Sequence, residues 1–534
     1  MIARCTAAVA GRTLFDEADE LAIQMPASCQ RSGRCHECVV EIVAGGAALS
    51  PPTEAESFLR DPFRLACQAT VVGDDRVEFK LLRRQLRILI DSHGRVGVPD
   101  AIDSPVRRLP TGVQYEGVRL DVDRGRAIGL AIDLGTTTIV IEFLDLETGE
   151  LVGVTAIENP QAFGGSDIMN RISYDHRAPG ELRQALRRAL NHAIRAQCTA
   201  IGIDRRVIYE AFVVGNSTMR DIFYGVDVSS IGQRPYKSAI ETEWLQGIRE
   251  TTALRERAHA LGVWMNPQGH VVSAPLIASH LGADVAADLV ALDLEERTGS
   301  WMLIDIGTNT EVVVSDGTRV LAASCPAGPA FEGGLVRFGM PGAEGAIEHA
   351  RLTNDGWRLE TIGAVPPEGI CGSGLIDLLA ELRRHAQMTP KGVFANRAPE
   401  IIVDESRGIT LSREDASNLA QAKAANACGQ AILLRHLGIA ARELDHVFLA
   451  GGFANHVDIG NAIEIGFLAD VQPDNVHKVG NASVRGARRL LLSQRRRADL
   501  EAYVKKIEHV ELEMTADFFE LFVEACQFRP LEAA

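Results

Sequence analysis

The sequence predicts a multidomain chain of two architectures: a small α+β unit at the N-terminus, then a long α/β region built as two lobes. Three observations carry this. Four of the ten cysteines fall between residues 29 and 67, inside a short stretch of strand and helix signals. From Ala127 onward apolar strands alternate with helical patterns, which indicates layered α/β structure. Finally, Ala131-Ile132-Asp133-Leu134-Gly135-Thr136-Thr137-Thr138 returns 172 residues later as Leu303-Ile304-Asp305-Ile306-Gly307-Thr308-Asn309-Thr310.

The 534 residues allow about three or four domains. Residues 1–85 make the first. A helical pattern over Thr13–Ala22 puts Leu14, Phe15, Ala18, Leu21 and Ala22 on one face. Val39–Val43 reads as a strand, Pro51-Pro52 breaks the chain, and Thr53-Glu54-Ala55-Glu56 starts a helix. Val71–Leu81 closes the unit with strand character. Residues 86–126, with Pro99, Pro105 and Pro110, are expected to be a linker. Residues 127–206 are assigned to a first lobe and 207–534 to a C-terminal region.

Composition excludes several classes. At 46% hydrophobic and 24% charged residues, the chain can fill large cores. A net charge of −16 disfavours nucleic acid and anionic membrane, so proteins and small molecules are the expected partners. No apolar run reaches the ~18 residues that span a bilayer. The apolar run Ala7–Ala10 near the start is too short for a secretory signal. A cytoplasmic protein is expected.

The clustered cysteines are spaced Cys29-x5-Cys35-x2-Cys38-x28-Cys67. Three thiolates in one tight loop, with a fourth from far downstream, is the ligand pattern of a [2Fe–2S] cluster, here with five rather than four residues in the first gap. The small polar loop Gln30–Arg34 offers backbone N–H donors to cluster sulfurs, and Gly33 permits a close approach. A structural zinc site is the alternative. It ordinarily takes two C-x2-C knuckles, and only Cys35/Cys38 forms one. Cys5, Cys198, Cys325, Cys371, Cys428 and Cys526 are scattered and read as small core residues. His36 lies inside the loop. Rieske-type ligation needs two histidines, so it reads as a solvated neighbour.

The repeated Asp-x-Gly-Thr segments each lie between two apolar strands, making tight hairpins. Gly135 lets the backbone approach a phosphate, while the threonine hydroxyls and peptide N–H groups supply donors. Asp133 ends its strand, where a carboxylate can hold Mg²⁺ beside phosphates. One such loop can be an ordinary turn; two suggest facing lobes that clamp one nucleotide. Val447–Ala454 adds a buried strand running into Gly451-Gly452, a turn flat enough to lie against adenosine.

These three motifs, in this order, resemble the actin/Hsp70/sugar-kinase (ASKHA) superfamily, preceded by a ferredoxin-like β-grasp domain. That fusion is similar to the reductive activators of corrinoid proteins. Further stretches of the same kind are Asn159-Pro160-Gln161, Asp167–Arg171, Gly215–Met219, Cys325–Gly333 and Gly369–Asp377. Gly466-Phe467-Leu468-Ala469-Asp470 departs from the expected Gly-Leu-Leu-Pro-like turn.

The resemblance implies an ATP-hydrolysing iron–sulfur protein that passes one electron to a Co(II) corrinoid protein of a methyltransferase system, restoring Co(I). It implies that Cys29, Cys35, Cys38 and Cys67 hold the cluster and that Asp133 and Asp305 position Mg²⁺ and water. Gly135, Thr136, Thr137, Gly307, Thr308 and Asn309 would cradle phosphates, and Gly451 and Gly452 would line the adenosine. Gly372, Ser373 and Gly374 either face the nucleotide or begin the helix over Leu375–Leu382. Glu332 and Gly333 either enter the cleft or lie on a surface loop. No corrinoid-ligand motif occurs, so the corrinoid is expected on the partner. The upstream electron donor is not legible, and a symmetric homodimer is the default expectation. A redox-sensing Hsp70-like ATPase and a small-molecule kinase with a structural cluster are the alternatives.

Overall fold

A computed structural model describes residues 2–5, 10–21, 23, 25, 29, 31–34, 36, 38–73, 76–81, 102–165, 167–452 and 454–531. Cys35, Phe453 and the part of the expected linker from 86 to 101 lie outside the described residues.

The N-terminal unit is an antiparallel sheet of β1 (Ile2–Cys5), β2 (Val39–Ala44), β3 (Phe63–Leu65) and β4 (Val77–Leu81), in the order β1-β4-β2-β3. Helix α1 (Leu14–Glu20) starts where the sequence indicates. Thr13 caps it, and Asp16 returns the bond to the Thr13 N–H. Its Leu14, Phe15 and Ala18 share one core with Val40, Leu65 and Phe79. That core does not end with the unit. Phe163, Ile172, Tyr174, Leu182, Ile222 and Ile231 belong to the same cluster, so the small domain is seated on the lobe that follows.

The expected linker is structured over its later part. Strands β5 (Val106–Leu109), β6 (Gly112–Tyr115) and β7 (Val118–Asp121) form a meander. Val106, Val113 and Tyr115 enter the first lobe's core, and the Tyr115 hydroxyl donates to Glu210 at 2.8 Å. The alternation of buried and exposed side chains here is too short to stand out among prolines and charges.

The first large sheet runs β10-β9-β8-β11-β13-β12, from β8 (Ile128–Leu134), β9 (Thr138–Asp145), β10 (Leu151–Glu158), β11 (Ile208–Val214), β12 (Arg255–Arg257) and β13 (His270–Ser273). The second runs β23-β22-β14-β15-β16-β24, from β14 (Trp301–Ile306), β15 (Thr310–Ser315), β16 (Val320–Cys325), β22 (His446–Ala450), β23 (Val476–Gly480) and β24 (Ile507–His509), with β17–β21 lying outside it between 346 and 412. Five strands of each repeat one plan: β10-β9-β8-β11-β13 and β16-β15-β14-β22-β23 are paired antiparallel, antiparallel, parallel, parallel. The divide expected at residue 206/207 therefore cuts the first sheet. Strand β11 pairs with β8, and the first lobe continues through β13 and the helix after it.

The lobes meet through two helices, Ala283–Ala291 of the first and Ala482–Leu492 of the second. At Gly486 a Cβ would stand 1.9 Å from the carbonyl oxygen of Ala287, so only glycine permits this crossing. Arg488 then reaches into the first lobe and makes a two-pronged pair with Glu142 at 2.6 and 2.7 Å, both side chains buried. Among the described residues no helix is long and apolar enough to cross a membrane.

Gly486→Ala is expected to destabilise the chain by about 3 kcal/mol, because the added methyl group meets backbone that cannot yield. Gly342→Ala, where a Cβ has an open, exposed site, is expected to change stability by less than about 0.5 kcal/mol. Thermal and urea unfolding of the two variants side by side checks this. Equal midpoints would mean the crossing is not tight.

Candidate functional site

Asp133 and Asp305 occupy the same place in the two repeats. Asp133 pairs across to Val214 and Asp305 to Ala450, and in each case a glycine follows the partner strand. A Cβ on Gly451 would lie 2.1 Å from the Ile306 oxygen, and one on Gly215 would lie 2.8 Å from the Leu134 oxygen. Both glycines have positive φ, so the chain turns away from the sheet and opens space above the aspartates. That space is one cleft. Asp133, Gly135, Thr136, Thr137, Asp305, Gly307, Thr308, Asn309, Gly451 and Gly452 all line it.

The first loop is braced from behind. Asn159 Nδ2 donates to the Gly135 oxygen at 2.8 Å, its backbone N–H donates to Thr137 at 2.7 Å, and Arg171 Nη2 donates to Thr136 at 2.7 Å. With its carbonyls engaged on that side, the loop offers N–H and hydroxyl donors on the other, which suits phosphate. Asn216, directly after Gly215, donates to the Thr136 hydroxyl at 3.1 Å and also lines the cleft.

Two side chains tie the lobes across it. Asn481, the cap of helix 482–492, donates to Asp133 at 2.8 Å. Glu332 accepts from the Thr308 hydroxyl and, at 3.4 Å, from the Thr137 hydroxyl, joining both Asp-x-Gly-Thr loops. Glu332 thus faces the cleft, where the sequence left a surface loop open as the alternative.

The cleft is crowded with acid. Asp284 and Glu311 line it beside Asp133, Asp305 and Glu332, and Asp288 lies buried behind. Burial, with Asp284 as the repelling neighbour, pushes Asp133 up to about 7. Asp305 is pushed up to about 7 by burial and then by Asp284 and Asp133, and burial takes Asp284 to about 6. Asp288 and Glu311 are held well above the usual carboxylate range, first by burial and then by these neighbours. Sequence reasoning missed Asp284, Asp288, Glu311 and Asn481, and it reached Asn216 only as part of the stretch Gly215–Met219, without a role. The repeat itself could have flagged Asn216, since Val214-Gly215-Asn216 stands where the second copy has Ala450-Gly451-Gly452.

Gly372, Ser373 and Gly374 begin the helix Gly372–Arg384, and they are not among the residues that line the cleft. A Cβ on Gly374 would meet the Ile347 oxygen at 2.2 Å, which accounts for that glycine by helix packing. Gly466, in the departing turn, keeps a left-handed φ of 73° and lies against the Arg529 carbonyl.

In the small domain, Cys38 and Cys67 lie together and are buried. Hydrogen bonding from Cys38, then Gln68 and the Gly33 N–H, lowers the Cys67 thiol to about 6, so the thiolate is favoured as a metal ligand must be. Gly33 has a φ of 78°, and a Cβ there would crowd Ala55 and Gln68. Arg31 pins the loop through Asp16 and Asp19 and lies 4.1 Å over the Phe15 ring. Among the described residues no three His, Cys, Asp or Glu side chains converge on one ion. A [2Fe–2S] cluster asks for less, since two irons sharing four cysteines need only pairs. Cys38 and Cys67 lie together as one such pair would, and Cys35 lies outside the described residues.

His36 is not the solvated neighbour its position suggested. It stacks on Phe58 with centroids 3.9 Å apart, and its Nδ1 lies 2.8 Å from Glu181 of the first lobe.

Known proteins agree with this layout. A family model for the 2Fe-2S iron-sulfur cluster binding domain matches residues 3–72, the RACo middle region matches 128–297, and the C-terminal domain of RACo, the ASKHA domain, matches 300–533. The chain is 29% identical over 427 residues to the corrinoid activation enzyme RamQ of Eubacterium limosum, covering 75% of this chain and 70% of that one. It is 24% identical over 422 residues to the [Co(II) methylated amine-specific corrinoid protein] reductase of Methanosarcina barkeri, covering 74% and 75%. Among solved structures it is similar to a reductive activator for corrinoid, iron-sulfur protein. The TM-score there is 0.71 at 27% identity, over 98% of this chain and 96% of that one.

The raised carboxyls carry a sign. Each holds its proton in the folded chain up to about 6 or 7, while unfolded carboxyls ionise near 4, so their contribution to stability is lost as pH rises through that window. The nucleotide-free chain is expected to lose several degrees of melting temperature between about pH 5 and pH 8. Asp284→Asn, which removes the shared repelling neighbour, is expected to flatten the profile. Parallel profiles for parent and variant would rule out the crowding.

Proposed function

The chain belongs to the reductive activators of corrinoid proteins, and on that premise we propose that it couples a nucleotide held between its lobes to delivery of one electron. The electron leaves the N-terminal domain and reduces the Co(II) of a partner's corrinoid to Co(I). The observation that carries this reading is the seating of a cysteine-loop domain on the very lobe whose phosphate loop opens into the cleft. The redox-sensing ATPase and small-molecule kinase readings leave the corrinoid-activator relatives without an explanation.

The energetic problem explains why both halves are needed. A cluster of this class works near about −400 mV. For one electron, each ~59 mV uphill costs a factor of ten, so a gap of ~120 mV costs about 2.7 kcal/mol. Nucleotide binding offsets such a cost by favouring one conformation of the activator over another. A cluster on Cys29, Cys35, Cys38 and Cys67 would supply a one-electron donor. Gln68 and the Gly33 N–H, which donate to the Cys67 sulfur, would continue to do so with the cluster bound.

In the cleft, we assign Gly135, Thr136, Thr137, Gly307, Thr308 and Asn309 to the phosphates and Gly451 and Gly452 to the adenosine. Asp133 and Asp305 are hard oxygen donors on facing strand ends. They would hold Mg²⁺ together with phosphate oxygens and waters, and its charge would relieve the crowding among the acids. Asn481 and Glu332 fix the distance between the two loops. On the same reading the partner belongs to a methyltransferase system, and the reaction takes place in the cytoplasm.

The test is reduction of a Co(II) corrinoid protein by the cluster-loaded chain, with and without ATP. ATP is expected to increase the rate or extent; no dependence on ATP would defeat the proposal. Cys67→Ser is expected to abolish electron transfer and leave nucleotide affinity within about twofold, since the two sites share no side chain.

A further inference from the structure

One helix touches both sites. It runs from Ile168 to Arg177, and its two working side chains are one turn apart on the same face. Arg171 faces the phosphate loop. It is 2% exposed and donates to the Thr136 oxygen at 2.7 Å, to the Gly165 oxygen at 3.0 Å, to the Met219 sulfur at 3.2 Å, and weakly to Gln161 at 3.4 Å. All four acceptors are neutral. A buried guanidinium held by neutral acceptors rather than by a carboxylate is costly for folding alone, so its place behind a phosphate-binding turn calls for a reason. Asp167 and Glu332 are the acids that act on it, and Glu332 lies in the cleft itself.

Tyr174 faces the cysteine domain. Its hydroxyl donates to the backbone oxygen of Phe58, and its ring meets Phe163 edge-on at 5.4 Å. Phe163 in turn meets Phe58 edge-on at 5.9 Å, and Phe58 carries His36 stacked on its other neighbour side. Glu181, just beyond the helix, holds the His36 ring. The segment 53–66 that presents Phe58 is itself rigid. Buried Glu56 accepts from Arg64 at 2.8 Å, from the Thr53 N–H at 2.8 Å and from the Leu65 N–H at 2.9 Å. Glu56 thus ties the turn that carries Phe58 to β3, which ends shortly before Cys67.

We infer that the helix Ile168–Arg177 is the coupling element of this protein, with Arg171 and Tyr174 as positioning residues that link the phosphate loop at Thr136 to the seat of the cysteine domain at Phe58. The inference rests on the nucleotide reading of the cleft. Phosphate charge arriving in front of Thr136 pulls on the cation behind it. The helix answers as a unit, because its turns are bonded to one another, and the Tyr174 end moves the contact that holds the small domain.

The test uses the cluster-loaded full chain and a non-hydrolysable ATP analogue with Mg²⁺. Hydrogen exchange of residues 53–66 and the visible circular dichroism of the cluster are read with and without nucleotide, while calorimetry measures binding separately. In the parent, nucleotide is expected to change exchange in that segment by about fivefold or more. Tyr174→Phe loses only the hydroxyl bond. It is expected to bind nucleotide within about twofold of the parent and to lose most of that response. Phe58→Leu, on the other domain, is expected to do the same. Nucleotide binding without a change at 53–66 in the parent, or a full response in both variants, overturns the coupling and leaves the cleft assignment standing. Absence of nucleotide binding overturns both.

Discussion

The two lobes are held where helix 482–492 crosses helix 283–291 with no side chain between them at Gly486, and the cleft is a consequence of that crossing. Both helices point their N-terminal ends into it. The first brings Asp284 and Asp288, and its start is fixed by the bond from the Ala283 N–H to the Gly215 oxygen. The second brings Asn481 to Asp133 and Ser483 to Asp288, at 2.8 and 3.0 Å. Because the contact is backbone against side-chain-free backbone, the two helices are held close at this one crossing, about which the lobes are arranged. Arg488 ties the same helix 482–492 to Glu142 on β9 of the first lobe. Interiors packed this tightly pass displacement on rather than absorbing it.

What the crossing assembles is unfavourable in itself. Carboxyl groups from both lobes share a cleft in which burial and mutual repulsion raise their proton affinity. A fold selected for stability alone would replace some of them. On the proposed reading they serve a divalent cation, whose charge would offset both theirs and that of the phosphates it accompanies. Asn481 and the two threonine hydroxyls soften the repulsion without removing it, which keeps the site responsive to what enters.

Much of this was legible in the sequence, and the line between legible and hidden is physical. The cysteine spacing and the paired Asp-x-Gly-Thr loops are local: each motif makes a turn from its own residues, so its meaning survives without the rest of the chain. Groups acting over hundreds of residues left no such trace. Asn481 reads as an ordinary helix cap, which it also is, and nothing local says that its amide meets Asp133. His36 looked solvated because its shelter comes from Phe58 and Glu181. The limit of the first lobe was set too early because β11 is an apolar run like any other, and only its pairing with β8 shows which sheet it completes. The three-stranded meander at 106–121 was hidden for the opposite reason, since its strands are short and carry charge on their outer faces.

The shared core settles a question of mechanics that the motifs leave open. Among the described residues, the small domain's core partners Phe163, Ile172, Tyr174 and Leu182 all come from the first lobe, as do Glu158 and Glu181, which pair with Lys80 and His36. The small domain and the first Asp-x-Gly-Thr loop therefore sit on one side of the cleft, and the second such loop with the Gly451 turn sits on the other. Motion of one lobe against the other leaves the small domain fixed to loop one and shifts it relative to loop two. On the proposed reading, a nucleotide that draws the loops together would change what stands opposite the cysteine domain, even if that domain never leaves its seat. On the same reading, the short path from Thr136 through Arg171 to Tyr174 and a long path through lobe closure would begin at the same phosphates, and they differ in whether the small domain moves on its lobe or with it.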